Sequence, residues 1–121
     1  FNLGVCRFFL RDYQPAMQAM NQAYALSVDS GQMYIAGKAL TWLGRIESRV
    51  DPQSCEAASD HICRGIDILG KLGIRPEQSL GHFFLGALYA RFGKSGLSAE
   101  HLSRANQMFQ DLGLRVRRST S

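Results

Sequence analysis

Around the middle of the chain, Ile35, Ala36, Ala39, Leu40, Leu43, Ile46 and Val50 recur at threes and fours. That spacing puts them along one side of an amphipathic helix, and Ala58, Ile62, Gly65, Ile66, Leu69 and Leu72 do the same for a second. Between the two stripes lie Arg49, Val50, Asp51 and Pro52. Asp51 can accept the orphan N–H groups at the start of the second helix, and Pro52 suits its first turn, where a missing N–H costs nothing. Gly73 closes that helix, because glycine tolerates the left-handed conformation of a helix end. Extended along the chain, the pattern predicts helices over 1–11, 14–29, 32–49, 52–72, 76–92 and 98–112.

The same pattern occurs three times. Leu-Gly stands at Leu3-Gly4, Leu43-Gly44 and Leu85-Gly86, and each pair is followed by small residues at matching distances. These are Ala16, Ala23 and Gly31, then Ala58, Gly65 and Gly73, then Ser98, Ala105 and Gly113. The intervals are 12, 7 and 8 residues in the first and third copies and 14, 7 and 8 in the second. A fixed period of this size marks a solenoid, whose units bury their apolar faces only against their neighbours. The repeats span about 1–31, 32–73 and 74–114 of a single domain, 1–121, and each is a hairpin of a helix A and a helix B. Glycine inside a helix costs roughly 1 kcal/mol against alanine, so its return in every helix A calls for close approach to helix B.

These residues resemble the tetratricopeptide repeats. That family's hairpin carries Leu-Gly in helix A, then Ala, a bulky apolar residue and Ala in helix B; the matching sets here are Ala16, Met20, Ala23, then Ala58, Ile62, Gly65, then Ser98, Leu102, Ala105. Tyr89 stands on the family's aromatic position in the third copy. The chain departs from the pattern at His82, which replaces the bulky residue three before Leu-Gly, and at Arg7 and Glu47, which replace the aromatic. It lacks the proline between repeats, and its period exceeds the usual ~34 residues. The resemblance implies an all-α, right-handed superhelical solenoid of three antiparallel hairpins that binds a partner in its concave groove. The longer repeat and its closing Phe-Gln-Asp-Leu-Gly phrase, Phe109 to Gly113, are also similar to C-terminal arrays of large bacterial signalling proteins, including transcription activators with an ATPase core and nucleotidyl cyclases.

Composition changes this picture little. With 45% hydrophobic and 20% charged residues the chain has ordinary globular usage. No apolar run is long enough to span a membrane, and no signal peptide is recognisable. The first helix A is shorter than the others by about two turns, which predicts a piece of a longer protein, and the Arg115–Ser121 tail stands where a covering helix is expected. An uncovered end predicts self-association through it. Three cysteines, Cys6, Cys55 and Cys63, give no even framework and point to a reducing, cytoplasmic setting with buried or half-buried thiols. Cys55, His61 and Cys63 are the metal candidates, but His61 and Cys63 point about 200° apart on a helix. His82 and His101 have no nucleophile or carboxylate at a telling spacing, and Gly93-Lys94-Ser95 lacks the upstream glycine and strand of a phosphate loop, so it reads as a turn. Trp42, Phe84, Tyr89 and Phe92 read as core. No enzyme activity, cofactor or metal is expected.

The net charge of +4 and pI near 9.3 admit nucleic acid, acidic peptides or anionic surfaces as partners. Most basic residues are scattered. Lys38, Arg45 and Arg49, however, share the side of the second helix A opposite its apolar stripe, with Thr41 and Ser48 between them. The family resemblance implies that these offsets line the concave groove. It adds Val5, Phe8 and Phe9 from the first copy, and Leu80, Phe83, Ala87, Ala90 and Arg91 from the third. Such a groove, basic at its centre and apolar at its walls, suits a protein or peptide with carboxylates and bulky apolar side chains. The bland alternative pairs the cations with Glu47 or Asp51. The expected function is a non-catalytic protein-interaction module of a larger regulatory or signalling protein. The alternatives are a nucleic-acid-binding helical domain, disfavoured by the lack of a continuous basic stripe, and an array that regulates its own missing catalytic domain.

Overall fold

A computed structural model of the chain describes residues 1–51 and 53–120, the last seven of them as backbone alone. Six helices account for most of it: α1 (Asn2–Phe9), α2 (Tyr13–Ser30), α3 (Met33–Val50), α4 (Cys55–Lys71), α5 (Arg75–Arg91) and α6 (Ser95–Thr120). No strand occurs among the described residues. Each helix packs against the next in the chain, and α3 also touches α5.

Close approach explains the recurring small residues. A Cβ on Gly44 would collide with the Ala58 carbonyl oxygen and with Ile62 Cγ1, and one on Gly65 would come within 2.7 Å of the Gly37 carbonyl oxygen and 2.6 Å of Thr41 Cγ2. Residues 44 and 58 therefore meet at one end of the α3–α4 pair and 37 and 65 further along, which makes the two helices antiparallel. In the third hairpin a Cβ on Gly86 would lie 2.6 Å from Leu102 Cγ, and Ser98 donates a hydrogen bond of 2.8 Å to the Gly86 carbonyl. The hydroxyl that replaces the first two copies' alanine is thus satisfied in a buried place. The first hairpin is looser: a Cβ on Gly4 would meet the end of the flexible Met20 side chain at 2.9 Å.

Most helix ends share one device. Gly31 and Gly73 adopt left-handed backbone, with φ of +76° and +71°, and Gly93 repeats it after α5 at +76°. In each case the following N–H reaches back five residues, Gln32 to Ser27, Ile74 to Leu69 and Lys94 to Tyr89, closing the last orphan carbonyls. After α1 the same pair of bonds forms, Arg11 to Phe8 and Asp12 to Arg7, but the left-handed residue is Arg11 at φ +59°. Arg11 and Gly93 each lie seven residues after the helix A glycine; Asp51 holds that place in the second hairpin.

Three helix ends differ from the sequence expectation by three residues or more. Helix α4 begins at Cys55 rather than at 52, because Asp51, Gln53 and Ser54 bond locally between α3 and α4. Asp51 is extended and its carboxylate accepts the Gln53 N–H at 2.9 Å, while the Ser54 hydroxyl donates to the carbonyls of Asp51 at 2.7 Å and Glu47 at 3.1 Å. The two extra residues of the second repeat are spent here. Pro52, expected in the first helical turn, lies outside the described residues. Helix α6 begins at Ser95, just after the Gly93 turn, and continues past Gly113 to Thr120. The expected helix end at Gly113 is not taken, since glycine permits the left-handed turn without imposing it.

The three first-of-pair helices meet on Trp42. Its ring lies edge-on to Phe8 at 5.7 Å, Phe84 at 5.1 Å, Phe9 at 6.1 Å and Phe1 at 6.4 Å between centroids. Phe8, Trp42 and Phe84 are buried along with Leu43, Ile46, Leu85 and Leu88, so α1, α3 and α5 share one core. These edge-to-face contacts add about 0.5–1.5 kcal/mol each beyond the area they bury.

Gly44→Leu should destabilise the protein by about 1–3 kcal/mol in urea unfolding despite leucine's higher helix propensity. Unchanged or raised stability would refute close packing as the reason for this glycine. Arg11→Gly should raise stability by up to ~1 kcal/mol, since only the left-handed strain of a non-glycine residue is removed.

Candidate functional site

Six of the thirteen residues expected in the groove surround one concavity of about 290 Å³: Arg45, Ser48, Arg49, Phe83, Ala87 and Arg91. Phe84 and Leu88 complete its lining. Helix α3 contributes the first two arginines one turn apart, and α5 contributes the third together with the apolar wall. Phe83, 44% exposed, is the large apolar side chain left open to solvent here.

Arg45 is not a free clamp residue. Its guanidinium carbon lies 4.5 Å from the Phe8 and Phe84 ring centroids, 4.9 Å from Trp42 and 5.9 Å from Phe9. This box holds the planar group by cation–π attraction and fixes where its N–H groups point. Partial burial, and then the charge of Arg49, pull the Arg45 pKa below its ordinary value. Arg49 is more exposed, yet its guanidinium also comes within 5.9 Å of the Phe8 ring. The carboxylates that could have neutralised the pair are engaged elsewhere. Asp51 caps its own loop, and Glu47 Oε1 sits 2.6 Å from His61 Nδ1. None of the ion pairs among the described residues involves Arg45, Arg49 or Arg91.

Lys38 and Thr41 do not join this concavity. Lys38 lies over the rings of Phe1 at 4.5 Å and Tyr34 at 4.8 Å, toward the start of α3. Thr41 is buried; its hydroxyl donates to the Lys38 carbonyl at 2.8 Å and its methyl faces Gly65 and Gly81, on the side of α3 that packs against α4 and α5. Ser48, though in the lining, is also buried and its hydroxyl donates to the Arg45 carbonyl at 2.7 Å. Small hydroxyls in a helix satisfy themselves on the preceding turn, so neither offers a free donor to a ligand. Sequence reasoning had left Trp42 and Phe84 in the core without noting that they also shape the site. The available signal was register: each immediately precedes its Leu-Gly pair.

A second polar cluster lies between α4, α5 and α6. His82 Nδ1 and His101 Nδ1 are 3.2 Å apart with rings stacked at 15°, and Tyr89 tilts against His101. Cys63, Asp67 and Lys71 of α4 and Arg104 of α6 surround the cavity that His82 borders, and Lys71 pairs with Asp67 at 3.0 Å. Burial, followed by the charges of Arg104 and His101, holds the His82 pKa down at about 4. The buried imidazole thus stands where the second repeat has Leu40, while remaining neutral. On α3, burial pushes the Glu47 carboxyl up, against the opposing pull of His61 on α4. Cys6 and Cys63 are exposed, contrary to expectation, and only Cys55 is half-buried; among the described residues no three metal-ligating side chains converge. Part of Cys63 still touches the protein, and that burial together with Asp60 raises its thiol pKa, which keeps it protonated.

Neither a family model nor a curated protein matches the chain. No helix among the described residues is long and apolar enough to cross a membrane.

His82 sets a pH dependence. Its folded pKa, about 4, is below the ordinary unfolded value of ~6.5, so its stabilising effect is complete above ~6.5 and is lost as the pH falls toward 4. Unfolding free energies at pH 7 and pH 4 should differ less in His82→Gln than in the parent, by on the order of 2–3 kcal/mol. Equal differences in the two proteins would show that His82 titrates normally.

Proposed function

We propose that the chain is a non-catalytic protein-interaction module, a tetratricopeptide-like solenoid of three hairpins, acting within a larger regulatory or signalling protein. Its ligand is an acidic partner segment with bulky apolar side chains, seated between α3 and α5. The observation that supports this reading is the concavity itself. Three arginines on two helices border it, one of them fixed by aromatic rings, and no carboxylate is in its lining. A half-buried charge without a counter-ion is costly, and an incoming anion relieves that cost while Phe83 and the α5 wall take up apolar surface. The order of helices, each packed on its neighbour, and the repeated small-residue contacts support the solenoid reading. Nucleic acid is the second reading: it needs a longer track of cations, whereas Lys38 is turned toward Phe1 and Tyr34.

The test is fluorescence anisotropy with a labelled peptide alternating glutamate with leucine or phenylalanine. Saturable binding should weaken at least ~10-fold in Arg49→Glu with Arg91→Glu, with an unchanged helical spectrum, and should persist in Lys38→Glu and Lys94→Glu. Arg45 is left in place because a carboxylate among four rings would disturb the core. Equal losses from all these charges would indicate diffuse electrostatics, and no binding by the parent would remove the acidic-peptide reading.

A further inference from the structure

The geometry points to a phosphorylated side chain, rather than a plain carboxylate, as the group that the Arg45–Arg49–Arg91 concavity recognises; this rests on the peptide-binding reading above. The first ground is charge. Three guanidinium groups border about 290 Å³ with no acid in the lining. One carboxylate leaves two of the three charges uncompensated, whereas a phosphate monoester carries about −1.5 to −2 at neutral pH.

The second ground is shape. A carboxylate has two acceptor oxygens in one plane, which a single arginine fork can saturate. Here the arginines come from two helices: Arg45 and Arg49 lie one turn apart on α3, and Arg91 is on α5. A tetrahedral phosphate has three free oxygens and can meet forks from several directions at once. Arg45 is held between the Phe8 and Phe84 rings at 4.5 Å from each, and loses little freedom on binding. The more exposed Arg49 and Arg91 close around the anion. A bound dianion would also offset the like charge of Arg49, which adds to burial in lowering the Arg45 pKa.

The third ground is the neighbourhood. The concavity is a local pocket walled by Phe84, Ala87 and Leu88, with Phe83 exposed beside it. That suits one phosphorylated residue with an apolar neighbour in a peptide better than the repeating phosphates of a nucleic acid strand, which ask for a continuous basic track.

Three peptides identical except for serine, phosphoserine or glutamate at one position, each with a flanking leucine and phenylalanine, provide the test. Titration is followed by anisotropy at constant ionic strength, with inorganic phosphate and a single-stranded RNA oligomer as competitors. The phosphoserine peptide should bind at least ~10-fold more tightly than the glutamate peptide, and inorganic phosphate should compete where the same ionic strength of chloride does not. Arg49→Gln and Arg91→Gln should each abolish the phosphoserine preference with the helical spectrum intact. Equal affinity for phosphoserine and glutamate peptides would overturn the phosphate assignment and leave the acidic-peptide function standing. Failure of all three peptides would remove both. RNA binding more tightly than the phosphopeptide and displacing it would replace both with the nucleic-acid reading.

Discussion

The edge-on contact of Trp42 with rings from both neighbouring repeats is the interaction on which the candidate site depends. It ties α1, α3 and α5 into one core, with Phe8 on one side and Phe84 on the other. The same rings hold the Arg45 guanidinium, and Phe84 also lines the concavity. Packing and the proposed recognition therefore share side chains. Anything that separated α1 from α5 would loosen both the core and the charge seated upon it.

That arrangement is possible because helices α3 and α4 approach each other through glycine and alanine. With a side chain at 44 or 65, α4 would stand further off. Close approach there lets Leu43 and Ile46 be buried while the opposite side of α3 remains free to meet α1 and α5. The helix is consumed on nearly all sides, which is why Thr41 and Ser48, apparently available beside the cations, are buried and bonded to their own backbone.

The two polar clusters illustrate opposite solutions to burying nitrogen groups. Between α5 and α6, burial holds His82 neutral, 3.2 Å from a second imidazole. On α3, Arg45 has no practical way to lose its charge. It is accommodated by aromatic faces, with no acid in the lining of its concavity.

Much of this was legible along the chain. The threes and fours of Ile35 to Val50 and of Ala58 to Leu72 reported helices, because side chains three and four apart share a helix face. The recurring Leu-Gly and its small followers reported where helices must touch, and the register of Arg45, Arg49, Phe83, Ala87 and Arg91 brought these residues to one concavity. The sequence left open which neighbour each polar group would choose. Lys38 went to Phe1 and Tyr34, Glu47 to His61, and Arg45 into a box of four rings drawn from three helices. Gly113 permitted a helix end that the chain did not take. Periodicity acts within one helix and survives in the linear pattern, whereas partner choice depends on distances between helices remote in sequence, which exist only once the chain has packed.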